Sequence, residues 1–555
     1  MDSQEFREAA KASIDHIVDY YENIESHSVV SQVEPGYLRQ VLPSSAPQDG
    51  ESWDLIRRDI DTKIVPGLTH WQSPNFFAFF PCPATYPSIL GELYSAAFTG
   101  ACFNWICSPA VTELETIVLD WLAQLLGLPA TYLSSGPTRG GGVMQGTASE
   151  AVLTAMVAAR DKYLAETLPS PGSVDEEEYE ELLMHQRSKL VALGSAACHS
   201  STKKAAKILG VRYLAVPTSS KAGFAMTGPA LQGVLQTCKA KGLKPFFLTA
   251  ALGTTDTCAV DDMGAIGHVL EQWSADFPVA AVDAAAAAAT AANGTANGTA
   301  NGTNGDSNAR NSDVNSAPIR KKGEVWVHVD AAYAGSALVT PEAQQAIPGG
   351  MRAFGAFYSF NMNMHKWLLT NFDASCLWVT DRRWLEAALS AELHVYRNAY
   401  SDGGLVTDYR NWQIPLGRRF RSLKAWFVLR NYGVKGLQAY IRGGVARCEA
   451  FAGWLREKED VFEILTGPVY ALTVFRMVGG GGSKDGKDGE ELANERTKRL
   501  YEEVNASGRI WVTSTVLEGK FAIRFMTANR LTEESHVRAA YELILETAER
   551  IMKET

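Results

Sequence analysis

Apolar residues at Phe6, Ala10, Ile14, Ile17 and Tyr21 recur at spacings of three and four, which predicts an amphipathic helix at the start of the chain. A Pro- and Ser-rich stretch over 42–50 separates it from a second helical pattern over 53–64. An apolar stripe in so short a segment needs a cover, which another domain or another subunit would supply. From about Gly91 onward the pattern changes to short apolar runs between helical stretches. Leu190-Val191-Ala192-Leu193, Phe246-Phe247-Leu248-Thr249 and Val325-Trp326-Val327-His328-Val329 are β-prone and end near polar or small residues. They predict βαβ units and an α/β fold with a mostly parallel sheet. Ligands of such sheets sit beyond the carboxyl ends of the strands, where His199, Thr254, Thr255 and Asp330 fall. Residues 470–477 and 510–525 read as strands and 533–553 as a helix, which predicts a small α+β domain.

A chain of 555 residues is too long for one hydrophobic core. The pattern divides it into an N-terminal helical segment (1–85), a large domain (86–423) and a small C-terminal domain (424–555). Two stretches cannot bury a core: an Ala run with Asn-Gly-Thr repeats within 284–322, and a glycine-rich loop at 479–489. The formal net charge of −10 argues against nucleic acid, since neutralising phosphates needs a basic surface. There is no apolar run of eighteen residues and no basic-then-apolar leader, so neither a membrane span nor secretion is expected. The eight cysteines include no C-x-x-C pair. Neither a zinc site nor a disulfide framework is expected, and a cytoplasmic protein with reduced thiols is.

Three features carry candidate chemistry. Gly140-Gly141-Gly142-Val143-Met144-Gln145-Gly146-Thr147-Ala148-Ser149-Glu150 runs into a helical pattern over 151–163. A glycine-rich turn opening a helix presents free N–H groups and the positive end of the helix dipole, a phosphate cradle. The same pattern also describes an ordinary N-capped helix. Asp330, ending the strand over 325–329, is a carboxylate that needs a cationic partner if buried; it also reads as a helix N-cap. Lys366, between His365 and Trp367, would be desolvated and so favour the neutral amine, the form that makes Schiff bases. Taken alone, it could simply be a lysine reaching out to solvent. Cradle, carboxylate and lysine in that order are the phosphate anchor, electron-sink partner and covalent tether that pyridoxal 5′-phosphate (PLP) needs.

The chain resembles the group II PLP-dependent decarboxylases, most closely those acting on aromatic L-amino acids, including tryptophan decarboxylases. The motifs are His70-Trp71-Gln72-Ser73-Pro74-Asn75-Phe76-Phe77, Ser108-Pro109-Ala110-Val111-Thr112-Glu113-Leu114-Glu115, His328-Val329-Asp330-Ala331-Ala332-Tyr333-Ala334-Gly335, His365-Lys366-Trp367 and Trp412-Gln413-Ile414-Pro415-Leu416-Gly417-Arg418-Arg419. The resemblance implies PLP fold-type I and a homodimer with active sites at the subunit interface, the N-terminal segment packing on the partner subunit. It makes Lys366 the Schiff-base lysine, Asp330 the partner of the pyridine nitrogen and His199 the residue stacked on the ring. Thr147, Ala148 and Ser149 would hold the phosphate with Asn363 and His365, while Thr255 and Ala332 would lie near the cofactor. Trp71, Phe79, Phe80, Pro81, Cys82, Phe103 and Gly417 would contact the substrate.

The implied reaction is decarboxylation to the amine and carbon dioxide, with Tyr396 matching a loop tyrosine that returns a proton to Cα. Relatives that instead make an aldehyde generally carry phenylalanine there. Three positions depart from the family pattern: Met364 replaces a usual proline, Phe79 a frequent tyrosine and Cys82 a frequent threonine. Phe79 and Cys82 remove hydroxyls from the ring pocket, and Gly417 leaves volume for an indole, so tryptophan is the expected substrate. Phenylalanine, tyrosine, DOPA and 5-hydroxytryptophan remain alternatives. The rival readings are an aldehyde synthase of the same family, an aminotransferase, and an inactive dimeric scaffold.

Overall fold

The computed structural model describes residues 1–276, 322–390, 399–479 and 487–554. The chain forms two compact units, one of residues 85–438 and one of residues 1–84 with 439–555.

The larger unit is built on a seven-stranded sheet: β1 (Gly141–Gln145), β2 (Leu190–Ser195), β3 (Arg212–Val216), β4 (Lys244–Ala251), β5 (Trp326–Asp330), β6 (Ser359–Asn363) and β7 (Ser375–Val379). Their order is β1-β7-β6-β5-β4-β2-β3. Only β7 runs against the rest, antiparallel to both β1 and β6. The α/β class and the mostly parallel sheet therefore hold. Both faces of the sheet are covered, so β1, β2, β5, β6 and β7 are buried at every residue, and they read as apolar runs rather than alternating ones. One covering element is the helix Ala148–Thr167, which packs Ala151, Val152, Ala155 and Ala159 against Val143, Phe247, Trp326 and Leu377. Its small residues let the helix lie close to the strands.

The glycine run corrects one expectation. Gly141 and Gly142 are not part of a phosphate turn but lie inside buried β1. A Cβ on Gly142 would stand 2.7 Å from the Trp378 ring and 3.1 Å from Leu119, so the strand needs glycine to admit the indole. The turn that opens the helix is shorter, beginning at Gly146.

The smaller unit has a four-stranded antiparallel sheet ordered β10-β11-β9-β8, from β8 (Phe462–Val469), β9 (Leu472–Met477), β10 (Thr513–Leu517) and β11 (Lys520–Met526). Its core stacks Phe525 between Phe77 and Phe451, with centroids 4.4 and 3.9 Å away. The segment around Phe77 is stitched to this unit by backbone: Phe77 N–H donates to Trp511 O and Met526 N–H to Phe77 O. The N-terminal helix Ser3–Glu22 carries a full capping box on Asp2 and Glu5 yet buries no residue. Among the described residues no helix is long and apolar enough to cross a membrane. The repeat-bearing stretch expected over 284–322 lies outside the described residues up to 321, and Tyr396 also lies outside them.

Candidate active site

The carboxyl ends of the parallel strands gather most of the expected residues on one edge of the large sheet. β1 ends at Gln145, and Gly146 leads into Thr147, the N-cap of the helix Ala148–Thr167. The Thr147 hydroxyl accepts the Glu150 N–H at 3.2 Å. It is thus spent on the cap, while the N–H groups of Ala148 and Ser149 in the first turn have no intrahelical acceptor. His199 follows β2, Thr255 lies in the turn after β4, Asp330 ends β5, and Asn363 ends β6. The one-turn helix Met364–Trp367 carries His365 and half-buried Lys366.

Hydrogen bonds tie these ends together. Asp330 is 7% exposed, and its Oδ1 accepts the Ala332 N–H at 3.1 Å. The Asn363 N–H donates to Ala332 O at 3.0 Å, so β5 and β6 are coupled where the candidate residues emerge. Among the described residues Asp330 forms no salt bridge, and a carboxylate so buried calls for a cation. His199 Nδ1 accepts the Ser201 N–H at 3.2 Å and lies 2.9 Å from the Ser201 hydroxyl, which puts the proton of the neutral ring on Nε2. Burial lowers the His199 pKa most, with the charge of Asp330 pulling it up and that of Lys366 pushing it down. Both charges reach the same imidazole, which places the three residues at one site. His365 is pushed down to about 3, mainly by burial and then by Lys366, and its Nδ1 accepts the Ala374 N–H at 2.8 Å. It is neutral at pH 7 and offers a hydrogen bond, not a charge.

The residues fit PLP. A buried carboxylate without a counter-ion awaits a cationic ring nitrogen, and Asn363 Oδ1 is a buried polar atom without a partner. Because the amide can flip, that position can offer a donor to a phosphate.

A charged layer beside the helix start was missed from sequence. Asp373 accepts two bonds from Arg421, at 2.9 and 3.2 Å, and its Oδ2 would lie 3.1 Å from a Cβ on Gly146. Glu150 reaches back to accept the Gly146 N–H at 3.0 Å. Deeper still, Arg418 and Glu115 pair with both side chains buried, and Glu115 also accepts the Met144 N–H. The available signals were the Thr147-x-x-Glu150 capping spacing and three arginines within 418–421.

The expected substrate residues fall in both units. In the larger one, backbone bonds from Arg410 to Phe103 and from Arg418 to Ala101 lace the Phe103 strand of chain to the Gly417 turn. A Cβ on Gly417 would meet nothing within 4 Å. In the smaller unit, Trp71 and Phe79 stack at 5.5 Å, Phe80 lies under Arg524, and Gln72 Nε2 donates to Cys82 O. Pro81 is buried in a segment outside any helix or strand.

The family model described as the pyridoxal-dependent decarboxylase conserved domain matches residues 35–293 and 298–478. The chain belongs to the pyridoxal-dependent decarboxylases. Like them it uses PLP. Among relatives, this decarboxylase chain is 41% identical to phenylacetaldehyde synthase of Arabidopsis thaliana over 99% of its length and 96% of the relative's. It is 40% identical to tryptophan decarboxylase 2 of Oryza sativa subsp. japonica, over 100% and 96%. The crystal structure of Oryza sativa TDC with PLP and tryptamine superposes with a TM-score of 0.83 at 34% identity, covering 100% of this chain and 99% of that one. The fold-type I expectation is met by this neighbour.

Proposed function

We propose that this decarboxylase converts an aromatic L-amino acid, tryptophan by preference, to its amine and carbon dioxide. The observation that carries the reading is the convergence of Asp330 and Lys366 on His199 at the carboxyl edge of the sheet. PLP supplies an aldehyde that joins to an amine and a ring that draws electrons as the carboxylate leaves. Lys366 would hold it covalently, and Asp330 would keep the proton on its ring nitrogen. Neutral His199 would lie on the ring face without competing for that charge. Ala148 and Ser149 would give N–H groups to the phosphate, with Thr147, Asn363 and His365 around it and Thr255 and Ala332 by the ring. Tyr396 would return the proton to Cα.

On the family resemblance, Trp71, Phe79, Phe80, Pro81, Cys82, Phe103 and Gly417 are the substrate residues we propose. Open space at Gly417 and hydrophobic Phe79 support an indole over a catechol. A pocket of this kind separates near-isosteric rings only modestly, by about 1–3 kcal/mol. Initial rates on tryptophan, 5-hydroxytryptophan, phenylalanine, tyrosine and DOPA test it. Equal amounts of amine and carbon dioxide, fastest from tryptophan, are expected. A 2-oxo acid product would overturn the reading in favour of an aminotransferase.

The second reading is an aldehyde synthase, favoured by the 41% identical phenylacetaldehyde synthase. Tyr396 carries a phenolic O–H that can deliver the proton, so amine should dominate. In aerobic buffer, with dioxygen as the oxidant reduced to peroxide, Tyr396→Phe should lose most amine and gain aldehyde and ammonia. Aldehyde and peroxide from the unaltered enzyme would instead establish the synthase.

A homodimer and a cytoplasmic location complete the proposal. The larger unit exposes Leu90, Leu93, Tyr94, Phe98, Ile117 and Trp121 at 44–60%, and the N-terminal helix leaves Phe6, Ile14 and Ile17 uncovered. A partner subunit would cover such surfaces. All eight cysteines are free thiols, in keeping with a reducing compartment. Sedimentation equilibrium should give twice the chain mass.

A further inference from the structure

The turn that carries Gly417 has little packing to shape it. Ile414, Pro415, Leu416 and Gly417 are all exposed, while Gln413 before them and Arg418 after them are buried. Contact with a core therefore does not set the turn's course; side-chain bonds to its backbone do. The Gln413 amide makes them, with Nε2 donating to Pro415 O and, at 3.3 Å, to Gly417 O. Its Oε1 accepts from Arg418 Nη1, and Arg418 Nη2 donates in turn to Glu115. Glu115 also accepts the Met144 N–H at 2.8 Å, so the chain of bonds ends on β1 of the large sheet. An amide held at its oxygen by a buried ion pair keeps its N–H groups aimed at the turn.

Gly417 itself is free of close neighbours. A Cβ there would meet nothing within 4 Å, and its φ lies outside the left-handed region. The backbone does not require glycine at this position. What the missing side chain leaves is space, and its extent depends on where the turn runs.

We propose that Gln413 is a specificity-positioning residue, which fixes the Pro415–Gly417 turn so that the space over Gly417 stays open to a two-ring substrate side chain. The inference rests on the substrate contact proposed above for Gly417. Once released, an exposed turn takes other courses and closes part of that space, which an indole needs and a phenyl ring does not. Gln413 acts through the turn and touches neither cofactor nor substrate.

Gln413→Met and Gln413→Glu test this. Both delete the donors; methionine adds no buried charge, and glutamate keeps an acceptor for Arg418, so at least one variant is expected to fold with PLP bound. In PLP-loaded protein, kcat/KM for tryptophan should fall about tenfold, chiefly through KM, and that for phenylalanine less than about threefold, the scale of discrimination one pocket contact supplies. Gly417→Ala fills the space directly and should shift the same ratio. Combined with a Gln413 variant it should add less than the sum of the separate effects, since both act on one space. Equal loss on both substrates, an unchanged ratio in a folded Gln413 variant, or full additivity would overturn the proposal while Gly417→Ala still shifts the ratio. An unchanged ratio in Gly417→Ala would overturn the substrate contact itself, and the proposal with it.

Discussion

Tyr333 and Trp367 stack with ring centres 4.9 Å apart and planes 11° from parallel, both fully buried. Tyr333 lies three residues beyond Asp330, and Trp367 directly follows Lys366. The stack therefore fixes the spacing between the carboxylate expected at the ring nitrogen and the lysine expected to hold the cofactor. Trp367→Leu removes the stacked surface and should cost about 2–4 kcal/mol of stability. It should weaken PLP affinity as well, read by equilibrium dialysis of the folded variant. Unchanged cofactor affinity would confine the pair to packing.

The Arg418–Glu115 pair makes a second prediction. Both side chains are about 1% exposed. Removing one partner strands the other charge, so Arg418→Met should cost about 3–5 kcal/mol, whereas the double replacement Glu115→Leu with Arg418→Met should cost less than the single. Denaturant midpoints of the three proteins check the order.

Acid should unfold the larger unit through its buried histidines. Burial lowers His328 to about 4 and His365 to about 3, from an ordinary value of 6.5. Their folded pKa values are depressed, so the unfolded chain takes up protons first as pH falls. Stability is complete above about 6.5 and is lost progressively toward pH 3. Buried Asp261, raised to about 6, opposes this between its ordinary value of 3.8 and 6. Two histidines outweigh one carboxylate, so the melting temperature should drop from pH 7 to pH 4. A flat profile would contradict the assignment.

The sequence announced the large sheet clearly because its strands are buried on both faces: Leu190 and Phe247 stand in unbroken apolar runs, and Val327 in one broken only by His328. Asp330 and Lys366 were legible because a carboxylate or an amine inside such a run has no bland explanation once both occur together. β1 was not legible. Glycine reads as turn, and only the Trp378 ring lying against Gly142 gives it a packing reason. Asp373 and Arg421 stand 48 residues apart, and no local pattern pairs them. β8 was missed for a related cause: it is only half-buried along most of its length, so its apolar signal is weak.

The central claim is that Lys366 bears the cofactor. Borohydride reduction of the holoenzyme, followed by peptide mapping, should place the pyridoxyl label on Lys366 alone, and Lys366→Ala should carry none while still binding PLP through the phosphate residues. Label on any other lysine, or undiminished label in Lys366→Ala, would contradict the account.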